Sequence, residues 1–195
     1  MREFEIIRKT NETDITLKIN IDGKGKSSID TNCGFLAHML TLFSSHSRMD
    51  LNVVCIGDSE VDFHHTTEDI AITLAQAIKS ALGDKRGIRR YASFTVPMDE
   101  ALISVDLDIS GRGLLCEDFN IKADKVGDFD TELCKEFMMA FARELGVTLH
   151  IRQIRGENAH HIIEGTFKAL ARAMRQAVSV DEAFKDEIPS TKGVI

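Results

Sequence analysis

The sequence predicts an α+β fold made of two similar halves, and three observations indicate it. Several short segments alternate apolar with polar residues, which is typical of half-buried strands. Longer segments carry apolar residues at helical spacing. The same order of segments occurs twice in 195 residues, which indicates an internal duplication. We therefore expect a two-layer fold in which each half is a small mixed β-sheet with two helices on one face, the halves being related by a pseudo-twofold axis.

The first element shared by the two halves is a strand. Residues 12–25, ETDITLKINIDGKG, align without a gap with residues 100–113, EALISVDLDISGRG. Both segments begin with Glu, place apolar residues at every second position and end in Gly-x-Gly. A period of two predicts a strand with one buried face in each half.

Two helices and a further strand follow in each half. We expect the first helix over 34–47 and over 131–145, and the strand over 50–56 and over 147–154. The second helix begins in each half at a His-His-x-x-Glu motif.

Each half therefore reads β-β-(β)-α-β-α, with the join near residues 87–90. Gly83 is suited to end the second helix of the first half. The longest irregular stretch is predicted at about 117–129. We expect a single domain over residues 1–195, with repeats at about 1–88 and 89–180 and a C-terminal tail at 181–195.

The charge and composition exclude several classes of protein. The chain has 24 Lys and Arg against 31 Asp and Glu, a net charge of −7, and no polybasic run, so we expect no nucleic-acid and no membrane partner. The first residues alternate in polarity, and no apolar run approaches the ~18 residues of a spanning helix, so a cytoplasmic location is expected. The four cysteines are far apart and form no CxxC pair, which favours reduced thiols.

The two His-His-x-x-Glu motifs carry the clearest chemical signal. On a first helical turn, one His and the Glu lie on the same side, as in metal-binding helices. The two adjacent His side chains diverge by about 100°, because a turn takes ~3.6 residues, so two ions are favoured over one. Residues at matching positions of the preceding helices extend the set of candidate ligands, which is His38, His64, His65, Glu68, Glu136, His160, His161 and Glu164. Imidazole and carboxylate donors without thiolates suit Mn²⁺, Fe²⁺ or Zn²⁺.

Simpler roles remain open for several other residues. Two interpretations of His46 are open, a structural role and a contact with the substrate. His150 lies in a predicted strand and is interpreted as a hydrogen-bonded structural residue. Glu12 flanks a strand, where a solvated carboxylate is common. A set of basic and hydroxyl residues could converge on an anion such as phosphate, namely Arg90, Arg112, Lys168, Ser190, Thr191 and Lys192. Lys168 also suits a helical i,i+4 pair with Glu164.

These motifs resemble those of the imidazoleglycerol-phosphate dehydratase family, and the resemblance covers essentially the whole chain. The matching segments are GFLAHMLTLFSSH, DFHHTTEDIAITLAQAI, GDKRGIRRYASFTVPMDEAL, LHIRQIRGENAHHIIEGTFKALARAMRQA and PSTKGVI. The resemblance implies a manganese-dependent lyase that converts D-erythro-imidazole glycerol phosphate to imidazole acetol phosphate in L-histidine biosynthesis. It implies two Mn²⁺ per active site and a substrate bound as an imidazolate between them. It also implies trimers that assemble into a particle of twenty-four subunits, with active sites between subunits.

The resemblance also implies roles for individual residues. It assigns the metal ions to the His and Glu set given above, of which Glu136 is the least certain member. The catalytic residues that it implies are Glu12, His46, Glu68 and Glu164. The substrate contacts that it implies are Glu12, His38, His46, His64, Glu68, Arg90, Arg112, His160, Lys168, Ser190, Thr191 and Lys192, so that the tail at 181–195 binds substrate.

Two positions depart from the family pattern, and two other functions compete with it. Ala37 stands where the family usually has Asp, which removes a carboxylate that could orient a ligand. Glu136 stands where many members have a metal-binding His.

The competing function is a dinuclear metallohydrolase acting on a small phosphorylated substrate, since paired ions also activate water. A metal-storage or metal-sensing protein is a third interpretation. Ferritin-like storage needs four long helices that bear Glu-x-x-His, whereas the His-His-x-x-Glu motifs of this chain follow predicted strands.

Overall fold

The first half of the chain folds as a four-stranded sheet with two helices. The computed structural model describes residues 2–195. The strands of this sheet are β1 (Glu3–Lys9), β2 (Thr13–Asn20), β3 (Ser27–Thr31) and β4 (Asp50–Gly57), in the order β1-β2-β4-β3. The helices are α1 (Gly34–Ser47) and α2 (His64–Leu82). β1, β2 and β4 pair antiparallel, whereas β3 pairs parallel with β4.

The second half repeats this topology. Its strands are β5 (Tyr91–Met98), β6 (Ala101–Asp108), β7 (Leu114–Glu117), β8 (Lys125–Val126), β9 (Phe129–Asp130) and β10 (Thr148–Arg155), and its helices are α3 (Leu133–Leu145) and α4 (Ala159–Ala177). The sheet order is β5-β6-β10-β7, again with one parallel pair, β10 with β7. The duplicated α+β fold with mixed sheets is therefore confirmed. The short β8–β9 hairpin is the addition that distinguishes the second half.

The core lies between the two sheets. Alternate residues of β2 and β6 are buried, as the period of two predicts; they are Ile15, Leu17 and Ile19 on β2, and Ile103, Val105 and Leu107 on β6. Helix α1 packs on α4, and α2 packs on α3, so the contact between halves is made by helices. Full burial stabilises the fold by about 1.5–3 kcal/mol for each large apolar side chain. The α1–α4 pair brings the first turns of two helices together, with the His38 and His160 rings 5.9 Å apart. In the other pair, Glu68 near the start of α2 contacts Arg143 near the end of α3.

Local hydrogen bonds set the ends of the helices. Helix α4 begins after Asn158, whose side chain accepts hydrogen bonds from the amides of His160 and His161. Helix α2 ends at Gly83, which has a positive φ of 58°, as the sequence predicts. Helix α3 begins two residues later than predicted, because Thr131 instead bonds to the preceding irregular segment through Ala123 and Asp124. None of the helices within residues 2–195 is both long enough and apolar enough to cross a membrane.

Candidate metal centre and anion cleft

Three predicted ligands meet where the first turns of α1 and α4 come together. The Nε2 atoms of His38 and His160 lie 3.2 and 3.1 Å from Glu164 Oε2. The donor atoms of all three residues lie within 4.8 Å of one another. His160 and Glu164 share a helix face because they are four residues apart, and the packing of α1 on α4 brings His38 to them from the other half. The cluster can therefore surround a single cation.

The electrostatics of this cluster keep Glu164 ionised. Burial raises the pKa of Glu164, which is only 7% exposed, but the hydrogen bonds and charges of Lys168, His38 and His160 outweigh burial and lower it overall. Lys168 Nζ contacts Glu164 Oε1 at 2.5 Å and Met98 Sδ at 3.3 Å. Two imidazoles and one charged carboxylate form a donor set that suits a divalent cation such as Mn²⁺.

His46 lies near the same cluster and is kept neutral. Its pKa is lowered, first by burial and then by the positive charges of Lys168 and Arg172, with Glu164 acting in the opposite direction. Because His46 and Lys168 each lie eight residues beyond a cluster ligand, on α1 and α4, they extend the site along the two helices. The structure therefore brings His46 and Lys168 close to the predicted ligands.

The second His of each motif points away from the helix pair, as the sequence predicts. His161 Nδ1 lies 2.6 Å from Glu100 Oε2, and His65 Nδ1 lies 2.9 Å from Asp58 Oδ2. Each contact raises the pKa of the histidine above its ordinary value, with the hydrogen bond to the carboxylate as the largest cause. His65 Nε2 also lies 3.6 Å from Glu12 Oε1. The carboxylate partners fix both rings through Nδ1, so Nε2 is the atom that a metal ion would contact.

The corresponding residues of the first half make no such cluster within the described chain. Glu68 lies 3.5 Å from the guanidinium of Arg143 on α3, and His64 packs at its ring against His65. Glu136 is half-buried on α3. Within residues 2–195, the group at Glu164 is the one set of three or more such donors close enough to share an ion. Metal ligation by His64, His65, Glu68, Glu136 and His161 stays a prediction.

The predicted anion contacts converge in a second place. A cleft of about 700 Å³ is lined by five of the predicted residues, Arg90, Arg112, Ser190, Thr191 and Lys192. Asp108 pairs with Arg90 through Nε and Nη2 at 2.6 and 3.1 Å, and Arg90 Nη1 donates to the carbonyl of Pro189. These bonds place the tail beside the arginines, and the exposed guanidinium of Arg112 lies 3.6 Å from the same Asp108. The cleft therefore gathers cations and hydroxyls suited to a phosphate group.

Comparison with known proteins assigns the family. The family model described as imidazoleglycerol-phosphate dehydratase matches residues 31–174. The chain belongs to this family. A relative named imidazoleglycerol-phosphate dehydratase from Azorhizobium caulinodans is 56% identical over 195 residues, which cover 100% of this chain and 99% of the relative. Another of that name, from Desulforamulus reducens, is 56% identical over 194 residues, with 100% and 98% covered.

Solved structures of the same family have the same fold. The crystal structure of imidazoleglycerol-phosphate dehydratase from Staphylococcus aureus gives a TM-score of 0.84 at 41% identity, covering 92% of this chain and 99% of that one. The family structure from Pyrococcus furiosus gives a TM-score of 0.84 at 40% identity, covering 97% and 100%. The imidazoleglycerol-phosphate dehydratase fold thus accounts for both halves.

Sequence reasoning missed several partners of the site residues. Asp58 follows β4 directly, and Asp108 ends β6, so both stand at strand ends, where polar side chains often serve a site; this signal was available. Arg143 and Met98 gave no such signal, because each meets its partner only through tertiary packing. His150 lies exposed on β10, so burial gives no support to a structural role for it.

Proposed function

We propose that this chain is an imidazoleglycerol-phosphate dehydratase, a lyase that removes water from imidazole glycerol phosphate in histidine biosynthesis in the cytoplasm. The observation that carries the proposal is the presence, in a member of that family, of both a His38–His160–Glu164 cluster and a cationic cleft. The first group suits a metal bound to imidazole, and the second suits a phosphate. Neither group alone distinguishes a dehydratase from other metal enzymes.

The proposed cofactor is a pair of Mn²⁺ ions. His38, His160 and Glu164 would hold one ion, and the remaining predicted ligands would contribute to the second. When bound, the two ions would supply Lewis acidity, which favours loss of a proton from the substrate imidazole. Mn²⁺ accepts oxygen donors, so Glu136 is compatible with such a site despite replacing the usual His.

The side chains of this chain supply the proton chemistry and the orientation. Glu12 is the proposed general acid/base, since its side chain is 51% exposed and close to His65. Lys168 keeps the Glu164 carboxylate charged for metal binding. Neutral His46 and cationic Lys168 would contact the substrate next to the metal cluster, on the side that leads away from the helix N-termini.

The metal cluster and the anion cleft of one chain lie too far apart to contact the same substrate molecule. His160 is at the start of α4, whereas the amide of Arg90 bonds to the carbonyl of Ala177 at its end. Seventeen residues at 1.5 Å each separate the cluster from the cleft by about 25 Å. The substrate is roughly 10 Å long by ordinary bond lengths. The separation therefore supports an active site between subunits, with the cleft of one chain facing the metal cluster of another. The trimers and the particle of twenty-four subunits are proposed from the family resemblance.

The decisive experiment is turnover of imidazole glycerol phosphate by chelator-treated protein, with and without added Mn²⁺. Imidazole acetol phosphate and free phosphate are measured in one sample. We expect metal-dependent ketone formation without phosphate release. Phosphate release without ketone would instead support the metallohydrolase, and metal uptake without either product would support storage.

A further inference from the structure

Asp69 is a buried carboxylate whose partners all lie on the first hairpin. It follows Glu68 on α2 and is 6% exposed. Its Oδ1 accepts hydrogen bonds from Arg8 Nε and Nη2 at 3.1 and 2.8 Å, and its Oδ2 accepts one from Thr13 Oγ1 at 2.6 Å. Since Arg8 is on β1 and Thr13 on β2, Asp69 joins both strands to α2. We call Arg8, Thr13 and Asp69 the brace.

The turn next to the brace carries Glu12. Thr10 Oγ1 accepts hydrogen bonds from the amides of Glu12 and Thr13 at 3.1 and 2.9 Å. The carbonyl of Glu12 accepts one from the amide of Asp58 at 3.1 Å, and the Asp58 carboxylate in turn contacts His65. All these bonds hold the main chain or its neighbours. The carboxylate of Glu12 itself is left half-exposed, 3.6 Å from His65 Nε2.

The matching hairpin of the second half lacks the brace. Arg8 pairs with Ile15 across the first hairpin as Val96 pairs with Ile103 across the second. By this register and the repeated motifs, the positions of Arg8, Thr13 and Asp69 are occupied by Val96, Ala101 and Gly165. None of these three side chains can make an ion pair or donate a hydrogen bond.

The second hairpin is held by its own glutamate instead. Glu100, the counterpart of Glu12, accepts hydrogen bonds from the amides of Glu157 and Asn158 at 3.2 and 2.9 Å. Its Oε2 also lies 2.6 Å from Nδ1 of His161. Both carboxylate oxygens of Glu100 thus have partners and fix the residues around them, whereas the carboxylate of Glu12 holds no main-chain group.

We propose that the brace positions the turn that carries Glu12, so that its carboxylate stays free for proton transfer while its main chain is fixed. In the first half, the support comes from Asp69, and in the second half it comes from the glutamate side chain itself. The inference rests on the proposed function, in which Glu12 is the general acid/base. Asp69 is then a positioning residue, because it acts through the hairpin and does not touch the substrate.

Loss of the brace should lower kcat and leave the binding of substrate unchanged. Small displacements of a catalytic group cost up to about 100-fold in rate, so we expect Thr13→Val to lower kcat by about 10- to 100-fold with KM and Mn²⁺ content unchanged. Thr13→Ser keeps the hydroxyl and should retain kcat. Asp69→Asn should lower kcat in the same way, since it removes the charge that pairs with Arg8.

A matched control exists at the other end of the same hairpin. Arg2 pairs with Asp22 with its Nη2 2.6 Å from Oδ1, so Asp22→Asn removes an Arg–Asp pair of the same type far from Glu12. The assembled, Mn²⁺-loaded enzyme is compared for all four variants by steady-state kinetics, and amide hydrogen exchange is followed for residues 10–13 and 58. We expect faster exchange there in Thr13→Val and Asp69→Asn only.

The two measurements separate the inference from the proposed function. If the wild type forms no ketone, the proposed function fails, and the exchange data still test whether the brace holds the turn. The inference is overturned if folded Thr13→Val and Asp69→Asn keep wild-type kcat or wild-type exchange. It is also overturned if Asp22→Asn loses kcat to the same extent, because the effect would then be general destabilisation of the hairpin.

Discussion

An active site shared between chains makes a quantitative prediction for mixed assemblies. We consider two variants, Arg112→Ala in the cleft and His160→Ala in the metal cluster. The length of α4 from His160 to Ala177, beside Arg90 of the cleft, is about 25 Å. Loss of a charge-assisted hydrogen bond costs about 1.5–3 kcal/mol, so Arg112→Ala alone should reduce turnover by about 10- to 150-fold. His160→Ala removes a metal ligand and should be at least as damaging.

Random mixing of the two variants gives a defined recovery. If the cleft and the cluster of one site come from different chains, an intact site needs a His160→Ala chain on the cleft side and an Arg112→Ala chain on the cluster side. In an equal mixture each condition holds for half the positions, so about one quarter (1/2 × 1/2) of sites are intact in a symmetric assembly. If one chain supplied both parts, no site would be intact.

The assay is co-expression of the two variants with different tags, purification through both tags, and turnover with Mn²⁺. Each variant assembled alone provides the baseline, and the tag ratio gives the mixing. We expect about a quarter of wild-type turnover per chain. Doubly tagged assemblies with no activity above the two baselines would refute the shared site.

Three further predictions concern the cluster, its pH dependence and the core. Glu164→Gln should weaken Mn²⁺ binding by more than about 100-fold, measured by calorimetry, because the carboxylate is the central charged donor; unchanged affinity would exclude it as a ligand. The folded, metal-free protein raises the pKa of His161 above its ordinary value of 6.5. The pair with Glu100 therefore stabilises the fold fully below pH 6.5, and this stabilisation is lost as the pH rises through the raised pKa. The folded protein lowers the pKa of Glu100 from 4.5 to about 2. The charged carboxylate therefore stabilises the fold fully above pH 4.5, and this stabilisation is lost as the pH falls towards about 2. Glu100→Gln should therefore flatten the profile of denaturation midpoint against pH, and an unchanged profile would contradict the pairing. Phe167→Ala should cost about 3–5 kcal/mol in the free energy of unfolding, because this ring is fully buried; a loss below 1 kcal/mol, on the order of one methylene, would contradict its core role.

The sequence predicted the elements better than their partners. Helix α1 has the predicted bounds, and both His-His-x-x-Glu motifs open helices, because periodicity and capping act within a few residues. Sequence matching placed His38 among the candidate ligands without assigning it to either motif. The structure joins His38 to His160 and Glu164 of the other half, since α1 packs on α4. The apolar stripe of a helix shows that it packs, but not on which helix.

The anion cleft is a second case in which the sequence predicts the residues but not which of them come together. Arg90 and Lys192 are about a hundred positions apart in the sequence, and only the tertiary contact between Arg90 and Pro189 brings them together. The residue types could be predicted, because phosphate requires them, whereas their convergence could not. Lys168, grouped with these cations by charge, does not line the cleft; it makes the i,i+4 pair with Glu164 that its spacing predicts.

Gly165 helps to explain why the second half has no counterpart of Asp69. A Cβ atom at this position would lie 3.0 Å from Ile103 Cγ1, so an aspartate there would require movement of a buried side chain of β6. A second-half copy of Asp69 would thus need Ile103 to shift or to be smaller, together with polar residues at 96 and 101 in place of Val96 and Ala101. No single substitution would therefore give the second half the support that Asp69 gives the first, and the two glutamates keep different surroundings.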